Sequence, residues 1–152
     1  DKAAAKENMN PYYKLSTKEE FCDKILKEFG LPIEGSHIIN GHVPVKLKDG
    51  ESPIKGNGKL FVIDGGLSKS YQPKTGIAGY TLIFNSHHLA LAEHKPFDPK
   101  HENTPKVTIV EKMKKRVMVA DTDIGKELAA KIADLKELVA AYRAGIIKEK
   151  LE

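Results

Sequence analysis

The sequence predicts an α+β chain, with an N-terminal helix, mostly antiparallel strands in the middle and a long C-terminal helix. Three observations carry this. Apolar residues recur at every fourth position from Phe21 through Ile25 to Phe29. Short apolar runs separated by Gly- and Asn-containing turns fill the middle of the chain. From Ile124 to Ile146, apolar residues return at spacings of four and three, the period of one helix face.

Residues 1–15 are polar and broken by Asn10-Pro11, so they are expected to form a linker or extended lead-in. Thr17 and Glu20 have capping-box spacing and open the first helix. Cys22 and Leu26 widen its apolar stripe, and Gly30 with Pro32 ends it. Ile38-Ile39 begins the β region. Val43 to Leu47 resumes an extended pattern, in which Pro44 points to an edge or irregular segment because it has no N–H for a ladder. Leu60 to Ile63 suits a strand buried on both faces, preceded by a hairpin signal at Asn57-Gly58. Gly79–Phe84 and Leu89–Ala92 predict a hairpin around Asn85-Ser86-His87. Residues 95–105 contain three prolines and predict a loop. Val107–Val110 and Val117–Val119 predict a last hairpin, with Lys112 to Arg116 as its charged turn. Asp121, Thr122 and Asp123 then offer an N-cap for the long helix, which closes near Gly145. Its stripe is expected to pack on an exposed sheet face rather than pair with another chain.

Composition narrows the function classes. The 152 residues suffice for one domain, with 40% hydrophobic and 30% charged residues, a folded rather than disordered balance. No apolar run reaches the roughly 18 residues of a membrane span. Cys22 is the single cysteine, which points to a reducing, cytoplasmic setting and a packed core thiol. The net charge of +4 reads as lysine-rich surface. No aromatic residue interleaves the basic run 112–116, so nucleic acid is not an expected partner, and neither is a membrane. The absent initial Met and the closing Leu151-Glu152, a common cloning scar, suggest an excised piece. Residues 16–150 are then the folded portion.

Three features could carry chemistry. His42 follows Gly41 at the tip of an apolar strand, where a neutral imidazole makes a good ligand for a divalent ion. Gly41 removes a side chain that would crowd such a site. Asp64 ends the buried strand and is followed by Gly65-Gly66, which permits close backbone approach to a ligand. Asp64 itself is expected to cap the turn by bonding backbone amides. The histidines His87, His88, His94 and His101 fit no zinc spacing and have no cysteine partner. His37 does not join His42, because five extended residues separate them by about 16 Å.

The run Glu34-Gly35-Ser36-His37-Ile38-Ile39-Asn40-Gly41-His42-Val43-Pro44-Val45-Lys46, with Gly50–Lys55 and Asn57 to Gly66, resembles the C-terminal part of class III fructose-1,6-bisphosphatases. Thr75–Ile83, Val119–Leu128 and the lead-in Asn10-Pro11-Tyr12-Tyr13 continue the likeness over nearly the whole chain. The resemblance implies a calcineurin-like metallophosphatase, whose β-sandwich these strands would complete. It implies hydrolysis of fructose 1,6-bisphosphate in gluconeogenesis. It also implies a two-ion site, usually manganese, with His42 matching a late Gly-His ligand. Some relatives place a second histidine where this chain has Pro44. The early Asp-x-His, Gly-Asp-x-x-Asp and Gly-Asn-His motifs are missing from residues 1–152. The chain is therefore expected to be inactive alone and to depend on the remainder of its own polypeptide. Lys46 and Lys55 flank the metal loop and are the candidates for the sugar bisphosphate's second phosphate. Two rival readings are a related phosphatase acting on a phosphoprotein or dinucleotide polyphosphate, and a non-catalytic domain that forms homo-oligomers through its long helix.

Overall fold

The structure, a computed structural model, describes residues 9–148. The proposed scar at Leu151-Glu152 and the first half of the lead-in lie outside them. The chain divides into two compact units. The first comprises residues up to Phe84 together with Leu89–Glu111, and the second comprises Asn85–His88 with the residues from Lys112 onward.

The first unit begins with a short helix, α1 (Tyr12–Leu15), where the sequence predicts a linker. Asn10 produces the difference. Its side-chain oxygen accepts from Tyr12 N at 2.9 Å and starts the turn. Helix α2 spans Glu19–Glu28. The expected capping box does not form, because Thr17 Oγ1 donates backwards to the Lys14 carbonyl at 2.8 Å. The buried edge of α2 is Cys22 and Leu26, whereas Phe29, expected in the stripe, is 77% exposed. Gly30 takes φ +68° and Leu31 N bonds back to Leu26 O at 2.9 Å, which closes the helix as expected.

Three short strands form the first sheet: β1 (Ile38–Asn40), β2 (Ile54–Lys55) and β3 (Leu60–Val62). The central strand is β3, fully buried as its apolar run predicts. It pairs antiparallel with β2 and parallel with β1, with Ile38 opposite Leu60 and Asn40 opposite Val62. The stretch after Pro44 makes no strand and passes into a 3-10 turn at Leu47–Asp49. After β3 comes the short helix α3 (Gln72–Thr75). The second sheet has the order β4 (Gly79–Phe84), β5 (His88–His94), β6 (Lys106–Lys112). The expected β4–β5 hairpin forms, with Gly79 opposite His94 and Phe84 opposite Leu89. Tyr80 N donates to Ile63 O at 3.0 Å, so β4 starts against the end of β3. The core holds Leu26, Val45, Leu60, Phe61, Ile77 and the inward residues of β5.

In the second unit the predicted hairpin between 107–110 and 117–119 does not form. Val117 N instead donates to Ser86 O at 2.9 Å, and Met113 N to His87 O at 2.8 Å. The basic run thus closes over the β4–β5 turn rather than making a turn of its own. The long helix α4 covers Asp123–Arg143, with Thr122 Oγ1 accepting from Gly125 N at 3.0 Å as its N-cap. Gly125 is required there, since a Cβ would sit 1.7 Å from Val119 O. The predicted stripe on α4 is present, and the helix's own unit leaves Ile132, Leu135 and Tyr142 each near half exposed.

A cleft at the Gly-His turn, the candidate active site

The ends of β1 and β3 lie side by side, and this adjacency creates the site. Ile63 N donates to Asn40 O at 2.9 Å, and Val45 N to Asp64 O at 2.7 Å. Asn40 is also held from outside the sheet. Tyr12 Oη donates to Asn40 Oδ1 at 3.0 Å and accepts from Asn40 Nδ2 at 2.8 Å. The strand end that carries Gly41-His42 is therefore fastened on two sides. His42 itself has φ +71°, a left-handed conformation that costs an L-residue roughly 1–2 kcal/mol. Strain of this kind concentrates at functional positions. The imidazole is exposed at the strand tip, where the sequence places it.

Below His42 opens a cleft of about 670 Å³, bordered by His42, Asp64, Ser68, Tyr71 and Tyr80. Asp64 caps its turn as expected, its Oδ1 accepting from Gly66 N at 2.7 Å. Of the glycines that follow, Gly66 borders the cleft, and both are required by packing. A Cβ on Gly65 would lie 2.6 Å from Gly79 Cα, and one on Gly66 would lie 2.8 Å from Tyr71 Cβ. The chain's own packing occupies that space. Gly41 has nothing within 4 Å of its would-be Cβ, so no crowding group is present among the described residues.

Tyr80, Tyr71 and Ser68 were not legible as site residues. Tyr80 is 9% exposed, and its hydroxyl has no hydrogen-bond partner among the described residues. Burial, with the Glu93 and Glu51 carboxylates adding to it, pushes the phenol up to about 12. Residues 67–78 read in the sequence only as a loop rich in Ser, Lys, Gly and Pro, with no periodicity to mark which residues turn inward. Tyr12 was legible as part of a motif, but its bond to Asn40 was not.

The other candidates fall elsewhere. Neither Lys46 nor Lys55 borders the cleft. Lys55 Nζ bonds Glu51 Oε1 at 2.5 Å, and Glu51 Oε2 accepts from Lys46 N at 3.0 Å. His37 Nδ1 meets Gly58 O at 2.9 Å and its Nε2 meets Glu111, so it has no part in the His42 site. His94 bonds Thr81, His88 bonds Asn85, and His101 bonds Asp98. Burial, with Asp23 next, raises the Cys22 thiol above its ordinary value, as a packed core thiol requires.

A divalent ion needs several donors at once. No group of three or more His, Cys, Asp or Glu side chains able to hold one occurs among the described residues. His42 and Asp64 border one cleft, but one Asp64 oxygen is already engaged. These residues do not make a complete metal centre. No helix of the described residues is long and apolar enough to cross a membrane.

Comparison with known proteins gives one consistent family. The family model for Firmicute fructose-1,6-bisphosphatase matches residues 1–144. A class 3 fructose-1,6-bisphosphatase of Clostridium botulinum (strain Alaska E43 / Type E3) is 57% identical over 98% of this chain. One from Finegoldia magna is 54% identical over 98% of it, and one from Bacteroides thetaiotaomicron 54% over 99%. The chain spans about a quarter of the length of these relatives, 24% in each case. No solved structure matches it. The chain belongs to the Firmicute fructose-1,6-bisphosphatase family, as a C-terminal part of such an enzyme.

Proposed function

We propose that this chain completes the active site of an enzyme that hydrolyses fructose 1,6-bisphosphate to fructose 6-phosphate and phosphate. In this reading His42 is one ligand of a divalent-metal centre, manganese by family resemblance, of the calcineurin-like metallophosphatase type. The remaining ligands come from the rest of the polypeptide. The observation that carries the reading is the His42 imidazole, exposed and strained at φ +71° beside Asp64 on a cleft. A residue in a costly backbone conformation and without a packing role is best explained by what its side chain must reach. Lys46 and Lys55 remain proposed contacts for the second phosphate. For Lys55 this requires release from Glu51. The enzyme works in the cytoplasm, where a free buried thiol such as Cys22 persists.

The test is phosphate release from fructose 1,6-bisphosphate with added manganese, on this chain and on a full-length polypeptide that carries it. The expected result is no release by the chain alone. The full-length enzyme turns over, and His42→Ala lowers its rate by at least about a hundredfold with weakened manganese binding. Turnover by the chain alone would place a different active site within these residues.

A further inference from the structure

The cleft at His42 has room for more than an ion. Its volume of about 670 Å³ falls within the range of roughly 300 to 1,000 Å³ that small organic ligands occupy. His42 and Asp64 account for the metal-ligating side chains on its border. Pro44, Ile63 and Leu67 add apolar wall, and Ser68 and Tyr71 add hydroxyls. Apolar walls with a few fixed polar groups suit an organic substrate.

Tyr71 offers the largest open surface on that border. It is 52% exposed, although Thr75, one turn further on, is only 2% exposed. The loop that carries it is held from several sides. Tyr71 N donates to Ser68 O at 2.8 Å, and Gln72 Nε2 donates to Leu67 O at 3.0 Å. The buried Thr75 Oγ1 sits 3.3 Å from Tyr71 O and 3.0 Å from Ile77 O. A ring held in place beforehand loses little freedom when a ligand arrives.

The neighbouring charge selects the ligand. Lys74 Nζ lies 5.9 Å from the centre of the Tyr71 ring, and Asp64 is the only carboxylate on the border of the cleft. A ring with a hydroxyl at its edge and an ammonium beside it match a phosphorylated sugar, which presents a carbon face, hydroxyls and anionic oxygens. Lys46 and Lys55 do not border this cleft.

We infer that Tyr71 is a specificity-determining residue that holds the sugar of the substrate, with Lys74 adding a cation for the phosphate that is not hydrolysed. The inference rests on the phosphatase reading of the His42 cleft and names the wall that recognises the sugar.

The experiment is steady-state kinetics of the full-length enzyme on fructose 1,6-bisphosphate. Inhibition by fructose 6-phosphate, the manganese concentration for half-activity and the thermal midpoint are measured alongside. Tyr71→Ala should raise KM and the fructose 6-phosphate inhibition constant by about tenfold or more, with the manganese requirement unchanged. Tyr71→Phe, which keeps the ring, should raise both by less. Lys74→Gln should raise both, and Lys74→Arg should restore them. Tyr71→Phe and Lys74→Gln carry the test where Tyr71→Ala does not fold. An unchanged KM in Tyr71→Ala or in Lys74→Gln overturns the inference. So does a rise in KM matched by a rise in the manganese requirement, because the change then acts at the ion. A lowered thermal midpoint with KM unchanged overturns it in favour of a ring covered by the rest of the polypeptide. In each of these cases activity lost in His42→Ala leaves the phosphatase reading standing, whereas activity that survives His42→Ala overturns that reading itself.

Discussion

His42, Gly65 and Tyr80 show how differently three residues around one cleft are constrained. His42 occupies a left-handed backbone site, whereas Gly65 is held by space. A Cβ there meets the Gly79 backbone at 2.6 and 2.8 Å, and backbone atoms do not swing aside. Gly65→Ala should destabilise the chain by about 1–3 kcal/mol, as overpacking does. Gly41→Ala meets open space and should change stability by less than about 0.5 kcal/mol. Urea midpoints of the two variants, compared side by side, check this. Tyr80 supplies a pH test. Its phenol rises from 10.0 to about 12 on folding, because burial and then Glu93 and Glu51 oppose the phenolate. The folded form holds that proton more tightly, so this group's contribution is full below pH 10 and is lost as pH climbs through about 12. Tyr80→Phe should remove that alkaline decline while leaving stability at neutral pH unchanged or higher, since the hydroxyl has no protein partner among the described residues. Unfolding curves on either side of pH 10, with the tyrosinate absorbance titration, measure both effects.

At the scale of elements, legibility tracked how local the determining contacts are. The limits of α4 were readable because Thr122 caps its own helix at 3.0 Å and Gly145 turns left-handed beyond its end. The β4–β5 hairpin was readable because Asn85 closes it within four residues, its Oδ1 accepting from the amides of His87 and His88. The capping box at Thr17 failed because a nearer carbonyl, that of Lys14, competed for the hydroxyl. The hairpin expected at Val117 failed because Ser86, thirty-one positions earlier, offered the acceptor. Thr122→Ala should cost about 1 kcal/mol of α4 stability, the usual worth of an N-cap, with a matching fall in the thermal midpoint followed by far-ultraviolet circular dichroism.

For the molecule as a whole, burial is uneven. All three residues of β3 are buried, while Gly125 is the only buried residue of α4. A helix of 21 residues with so little cover from its own unit depends there on its own propensity, which is marginal in water. In this chain alone, amides of α4 should therefore exchange faster than those of β3 by about a hundredfold or more, and comparable rates would show that the helix is covered after all. Around the cleft the donors are few: one imidazole and one half-engaged carboxylate border it, fewer than a divalent ion needs.

The sequence by itself determined the α+β class, the buried strand β3, the long capped helix and the position of His42 at a strand tip. Each follows from periodicity or from a turn residue acting on its near neighbours. Only the tertiary structure decided that Tyr12 fastens Asn40, that Tyr71 and Tyr80 line the cleft, and that Gly65 packs against Gly79. Tyr12 and Asn40 are 28 positions apart, Gly65 and Gly79 are 14 apart, and Tyr80 meets the cleft 38 positions after His42. No local pattern encodes such contacts, because they exist only once the parallel pairing of β1 with β3 and the start of β4 against Ile63 have been made.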